Sequence, residues 1–433
     1  MSAKKKEVPA QDYISFTKEM KKDYKILVPM MLSMHFKMIC GVLKNFGYDV
    51  ELLETTGPRI AEEGLRHVHN DACYPAILVI GQFIDAIKSG KYDPDKVALI
   101  YFQTGGGCRA SNYVSLLRKA LKKAGYPQVP VAAISLAGIE HHPGLEMTLP
   151  LIHQVLYAFL YADLLMSLVN QCRPYEHTPG SAQALADKWT EVLADELYKS
   201  KIVSYRRVKE NYRKILDEFA ALPKTFRPAA RVGIVGEIFV KYSPLANNGL
   251  EQFLVSEGAE PVTPGLLDFF IYTVYSNISD YNLYGLHPVK YRIFKMLFNF
   301  FNKKKNDLIA VMEEEGTFEP PAHFDHVIEL TNGYINVGTK MGEGWLLTAE
   351  MLELAETGVE NIVCTQPFGC LPNHIVGKGM MRPIKEGNPD VNIVAIDYDA
   401  GATKVNQENR LKLMLANAKK SDVHNERAKN RKA

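Results

Sequence analysis

Apolar and polar positions follow two alternating patterns along this chain. Tyr24–Pro29, Tyr48–Leu53, Val97–Phe102 and Val131–Leu136 are short runs rich in apolar and β-branched residues, as expected of strands in a sheet covered on both faces. Between them lie helix-period stretches near Ser33 to Phe46, Ala76 to Lys88 and Ser111 to Ala124, the first stopped by Gly47. Strands alternating with helices predict βαβ units and a mostly parallel sheet. From Met147 to Leu222 the pattern is helical, broken chiefly at Pro174 and Pro179-Gly180. Strands are predicted again at Arg231–Gly236, Glu260–Val262, His326–Leu330, Asn361–Cys364 and Val391–Ile396, with a long helix near Val289 to Glu314. The expected architecture is α/β, with two Rossmann-like domains, mostly parallel sheets and a helical insertion between them. Its parts are a polar segment 1–23, α/β domain 24–146, insertion 147–225, α/β domain 226–418 and charged tail 419–433.

Composition changes this picture little. With 433 residues, 47% hydrophobic and 23% charged, the chain has enough material for two or three buried cores. A net charge of +2 argues against a nucleic-acid partner. No secretory h-region is evident, and the most apolar stretch, Leu149 to Leu168, carries His153, Gln154 and Asp163, so it reads as a buried helix. The expected location is the cytoplasm, with no membrane partner. Six cysteines in a chain of this length point to metal binding or catalysis in a reducing compartment, not to a disulfide scaffold.

Three of the six stand in turns of small or rigid residues: Asn70-Asp71-Ala72-Cys73-Tyr74-Pro75, Gly105-Gly106-Gly107-Cys108-Arg109 and Pro367-Phe368-Gly369-Cys370-Leu371-Pro372. Looped thiolates with close-lying backbone N–H groups are what an iron–sulfur cluster requires. Cys108 and Cys370 each follow a predicted strand, where open α/β sheets bind ligands. Cys73 precedes a helix, whose N-terminal amides favour a thiolate. Cys364, six residues before Cys370, is either a further ligand or strand packing. Cys40 and Cys172 read as packing residues inside helices.

The other motifs are weaker. The Gly105–Gly107 run lacks both phosphate-loop orders, and Gly377-Lys378-Gly379 lacks the upstream spacing of a nucleotide loop. His67, His69, His141, His142 and His374 keep zinc open as an alternative, although no C-x-x-C knuckle is present. Val235-Gly236-Glu237 reads as a tight turn after a strand. His35 reads as a turn or cleft residue, and Asp397 and Asp399 as surface or cleft acids.

The strings His69–Ala76, Gln103–Arg109 and Cys364–His374 resemble the 2-hydroxyacyl-CoA dehydratase D-component family, which includes benzoyl-CoA reductase subunits and double-cubane cluster proteins. Gly233–Glu237 with Asn247-Asn248, and Ala395–Asp399, resemble the same branch, which is often fused to or encoded beside an activator ATPase. The resemblance covers roughly residues 24 to 418. It implies a [4Fe–4S] cluster held by Cys73, Cys108 and Cys370 between the two domains, with an open iron, and the Gly105, Gly106 and Gly107 amides tuning it. With Cys364 as an extra ligand, a double-cubane [8Fe–9S] cluster is the other arrangement. The implied partners are an ATPase of the acetate kinase/Hsp70/actin type and a homologous subunit or a second copy of this chain. The implied activity is that of an iron–sulfur protein which accepts low-potential electrons and reduces or dehydrates a small substrate. The alternative is a non-catalytic electron-relay or assembly subunit. Iron–sulfur potentials reach about −700 mV, so electron delivery at such potentials calls for ATP.

Overall fold

The computed structural model describes residues 13–420 except 104–106 and 135–139, together with 423, 424 and 427. From the N-terminus run β1 (Lys25–Pro29), α1 (Ser33–Asn45), β2 (Asp49–Leu53), α2 (Pro58–His67), α3 (Tyr74–Lys88), β3 (Val97–Phe102), α4 (Tyr113–Ala124) and β4 (Val131–Ile134). Three long helices follow, α5 (Leu149–Cys172), α6 (Ser181–Lys199) and α7 (Tyr205–Ala220). The remainder comprises β5 (Arg231–Gly236), α8 (Ile238–Tyr242), β6 (Glu260–Val262), α9 (Leu266–Tyr284), α10 (Pro288–Glu315), α11 (Phe324–Glu329), α12 (Trp345–Glu356), β7 (Asn361–Pro367), β8 (Asn392–Tyr398) and α13 (Lys404–Ala416), linked by shorter helical turns.

The expected α/β class is what the chain adopts. Among the described residues there are two four-stranded sheets, ordered β2-β1-β3-β4 and β6-β5-β7-β8, and every strand pairing is parallel. The physical reason is legible in the strands. All residues of β5 and β7 are buried, and β3 exposes only its last residue, so each needs helices on both faces. In each sheet the order reverses beside the first strand, which creates a crevice at the carboxyl ends of β1/β3 and of β5/β7.

The chain divides into two compact units. One gathers the chain up to Met30, Phe46–Ala72 and Ala76–Thr148, and carries the first sheet. The other gathers Met31–Asn45, Cys73–Pro75 and everything from Leu149 onward. Two features of this division depart from chain order. Helix α1 packs against α5 and α6 of the second unit, with Gly41 so close to the Ala194 carbonyl that a Cβ would lie 2.9 Å from it. The stretch Cys73–Pro75 likewise groups with the second unit, although Ala72 before it and Ala76 after it belong to the first. The helical region α5–α7 is part of the second unit.

Helix α5 is long and apolar enough to cross a membrane by composition, but 72% of that stretch is buried. It is a core helix, contacting α1, α6, α7 and α9. Its Asp163 carboxylate accepts the first backbone N–H groups of α9, at Leu266 and Leu267, and pairs with the fully buried His35 at 2.7 Å.

One predicted strand is a helix. His326–Leu330 lies in and after α11, because Phe324 and Val327 are buried three residues apart while Asp325 and Glu329 face water. A short β-branched run is compatible with either element, and here the burial period decides. The long helix predicted from Val289 to Glu314 is α10.

Candidate functional site

The second sheet places two turns side by side. Strand β5 ends at Gly236, with φ of +141°, and a Cβ there would lie 1.8 Å from the Thr365 carbonyl oxygen of β7. Only glycine lets the chain leave β5 this close to its neighbour. The next residue, Glu237, donates its backbone N–H to that same carbonyl at 2.9 Å, and its carboxylate caps α8 by accepting from the Val240 N–H at 2.8 Å. On the adjacent strand, β7 runs to Pro367 and turns at Phe368-Gly369, where Gly369 takes φ of +70°. Cys370 follows, 6% exposed, with its N–H on the Pro367 carbonyl at 3.1 Å.

Asn373 joins the two turns. Its side-chain amide donates to Cys370 Sγ at 3.3 Å and to Glu343 at 3.1 Å, and the other Glu343 oxygen accepts the Ile238 N–H of α8 at 3.0 Å. Asn373 Oδ1 is buried without a hydrogen-bond partner. Asn373 also opens a π-helical turn, Asn373–Gly377, a form common at functional sites. Around Cys370 the exposed side chains are apolar: Phe368, Leu371 and Ile375.

Electrostatics in this crevice are dominated by burial. Desolvation pushes the Glu237 carboxyl up to about 8, helped by Glu343, and raises Glu343 as well. The pair therefore holds a proton near neutrality. The Cys370 thiol is raised by desolvation first, then by Glu343 and Glu237, and the Cys73 thiol acts on it in the same direction. Cys73 and Cys370 both belong to the second unit. Cys73 is 8% exposed and directly precedes α3. Beside it, Tyr74 is raised by burial and by the charge of Asp399, which follows β8.

Cys108 belongs to the first unit and is partly exposed. It follows β3, and its carbonyl accepts both the backbone N–H and the hydroxyl of Ser111, at 3.1 and 2.7 Å. Arg109 reaches from this turn to the Asp71 carbonyl at 2.8 Å, two residues before Cys73. Gly107 is described and exposed, whereas Gly105 and Gly106 lie outside the described residues.

Cys364 occupies a different environment from Cys370. It is fully buried in β7, paired with Val235 and Ala395, and packed among Leu347, Met351 and Val376. Its thiol is pushed up to about 12 by desolvation. Cys40 and Cys172 are buried in α1 and α5 and raised to about 12 for the same reason. Among the described residues, no three His, Cys, Asp or Glu side chains converge to hold a metal ion. Of the histidines weighed for zinc, His67 bonds the Glu63 carbonyl, His374 the Cys370 carbonyl, and His142 the Phe16 and Ala133 N–H groups.

Sequence reasoning passed over Glu343 and gave Glu237 and Asn373 no role. Glu343 sits in Gly342-Glu343-Gly344, with both glycines at positive φ. That local glycine density was the available signal. Lys378 and Asp397 form a half-buried ion pair at 3.0 Å, with Gln366 also bonded to Asp397 at 2.6 Å. Burial pushes the Asp397 carboxyl up, but these partners outweigh it and hold it below the usual range. No protein-family model, curated protein or solved structure matches this chain.

Proposed function

We propose that the chain is an iron–sulfur protein that accepts low-potential electrons from an ATP-hydrolysing partner and reduces or dehydrates a small substrate in the cytoplasm. The observation that carries this reading is the nearly buried Cys370 at the carboxyl edge of the second sheet, with an Asn373 N–H directed at its sulfur and Cys73 grouped in the same unit. Two nearly buried thiols and a side-chain amide directed at sulfur suit a cluster's first ligands and their hydrogen-bonding surroundings. Cys108, on the turn after β3, is the third proposed ligand. A cubane bound there would supply one-electron reduction and, at an open iron, Lewis acidity.

The chain's own residues have distinct tasks in this reading. Asn373 fixes the direction of the Cys370 sulfur and stabilises negative charge on it. Glu237 and Glu343, sharing a proton beside Cys370, limit charge repulsion when that sulfur is a thiolate, and keep a proton within the crevice. Cys364 packs the strand that carries the turn. The test is anaerobic purification, with iron and acid-labile sulfide counted per chain and the visible spectrum followed on adding a low-potential reductant. A brown protein that bleaches on reduction supports the reading. A colourless protein that takes up neither iron nor sulfide on reconstitution removes it.

A further inference from the structure

Helix α10 is 28 residues long, yet its first buried residue is Phe298, ten residues after Pro288. An apolar row on the other face is exposed: Val289 is 73% exposed, Ile293 50% and Met296 66%, and the row ends at Phe300, which is 36% exposed with its ring against His153. Their spacing of four, three and four residues is the d–a–d–a seam of a coiled coil. At about 100° per residue, the row lies on the opposite side of α10 from Phe298, Asn302 and Lys305, which pack inward. Further along, α7 covers this side, with Lys304 over the Tyr205 ring at 4.0 Å and Arg213 paired to Glu314 at 3.1 Å. The uncovered seam therefore ends where α7 begins, leaving about 17 Å of open helix face at a 1.5 Å rise per residue.

Charge decides what fits there. Between Tyr281 and Asn306 there is no Asp or Glu, and Lys290, Arg292, Lys295 and Lys303 are exposed there, whereas Lys305 is buried against Asp268 and Lys304 lies beside Asp307. Lys290 and Arg292 flank the seam at its e and g positions, and both are exposed. A second copy of this chain would bring the same cations against each other. The terminal stretches, with Lys4–Lys6 and the basic run from Arg427 to Lys432, carry the wrong sign as well. Tyr281, Leu283, Tyr284 and Leu286 continue the exposed apolar surface ahead of the helix, and the four-three-four spacing of the row itself is the complement of another helix.

We propose that the exposed seam of α10 docks an amphipathic helix of a second protein whose apolar stripe is flanked by carboxylates. This surface stands whether or not the chain holds a cluster. The test uses the full chain and two fluorescent peptides of about three heptads, both with Leu and Ile at a and d, one with Glu and one with Lys at e and g. Anisotropy titration is expected to show the Glu peptide binding at least about tenfold tighter than the Lys peptide, with affinity falling as salt rises. The I293D/M296D variant loses that binding, and K290E/R292E reverses the preference toward the Lys peptide. These side chains are exposed, and a circular dichroism spectrum matching wild type confirms the fold. Absence of binding, equal binding of both peptides, or a preference unchanged by K290E/R292E overturns the proposal. So does uptake by phosphatidylglycerol–phosphatidylcholine vesicles without peptide binding, which would make the surface a lipid contact. Self-association abolished by I293D/M296D would likewise overturn it, by assigning the seam to a second copy.

Discussion

The two sheets are built alike and finished differently. Both order their strands second, first, third, fourth, and both pair them in parallel. At the end of β1 the chain passes through Pro29 and Met30 with no left-handed residue, whereas β5 ends on Gly236, pressed against Thr365. After β3, Cys108 stands partly exposed. After β7, Cys370 is buried with an amide on its sulfur and two carboxyls close enough to raise its thiol. The scaffold is shared and the two sheets differ in the turns at their carboxyl ends, where open α/β sheets hold ligands.

The largest effect should come from breaking the feature that only the second sheet has. Gly236→Ala puts a methyl into the Thr365 carbonyl at a backbone angle alanine avoids, so it should cost about 3 kcal/mol or more in urea unfolding. Unchanged stability would mean the turn is not held by that contact. Next, cysteine environments should separate by position. Cys364→Ser buries a hydroxyl among apolar side chains and should cost about 1–3 kcal/mol, against less than about 1 kcal/mol for Cys108→Ser, both read by unfolding of the metal-free protein. Equal costs would erase the distinction between core and turn thiols.

The second sheet should also carry a pH dependence. Glu237 is pushed up to about 8 in the folded chain, far above an exposed glutamate, so the folded state holds a proton there that the unfolded state has released. Its contribution is therefore lost as pH rises from about 4.5 toward 8, at most about 1.4 kcal/mol per pH unit for one proton. Glu353, raised to about 7 mainly by burial, adds to the slope in part of the same window. Glu237→Gln should flatten the fall in the urea midpoint between pH 6 and 8 without removing it. An unchanged slope would show that Glu237 does not carry the retained proton.

Much of this molecule was legible in its sequence. The apolar runs at Val97–Phe102 and Arg231–Gly236 are strands with the same bounds, because a strand buried on both faces has no polar phase to blur its ends. His326–Leu330 was not legible, since five residues do not distinguish period two from period three and a half. The turn cysteines were visible from their glycine and proline neighbours. Glu343 was not, because it comes to Asn373 from 30 residues away through the packing of α12, and no local pattern records that meeting. The grouping of Cys73 with the second unit was hidden for the same reason: it follows from how three residues pack, not from where they fall in the chain.

The central claim is that Cys370, and not its neighbour Cys364, is a cluster ligand. Iron and acid-labile sulfide counted per chain in anaerobically reconstituted wild type, Cys364→Ser and Cys370→Ser proteins test it directly. The account predicts wild-type counts in Cys364→Ser and loss of most iron and sulfide in Cys370→Ser, with both variants folded by circular dichroism. Full iron and sulfide in Cys370→Ser would contradict it.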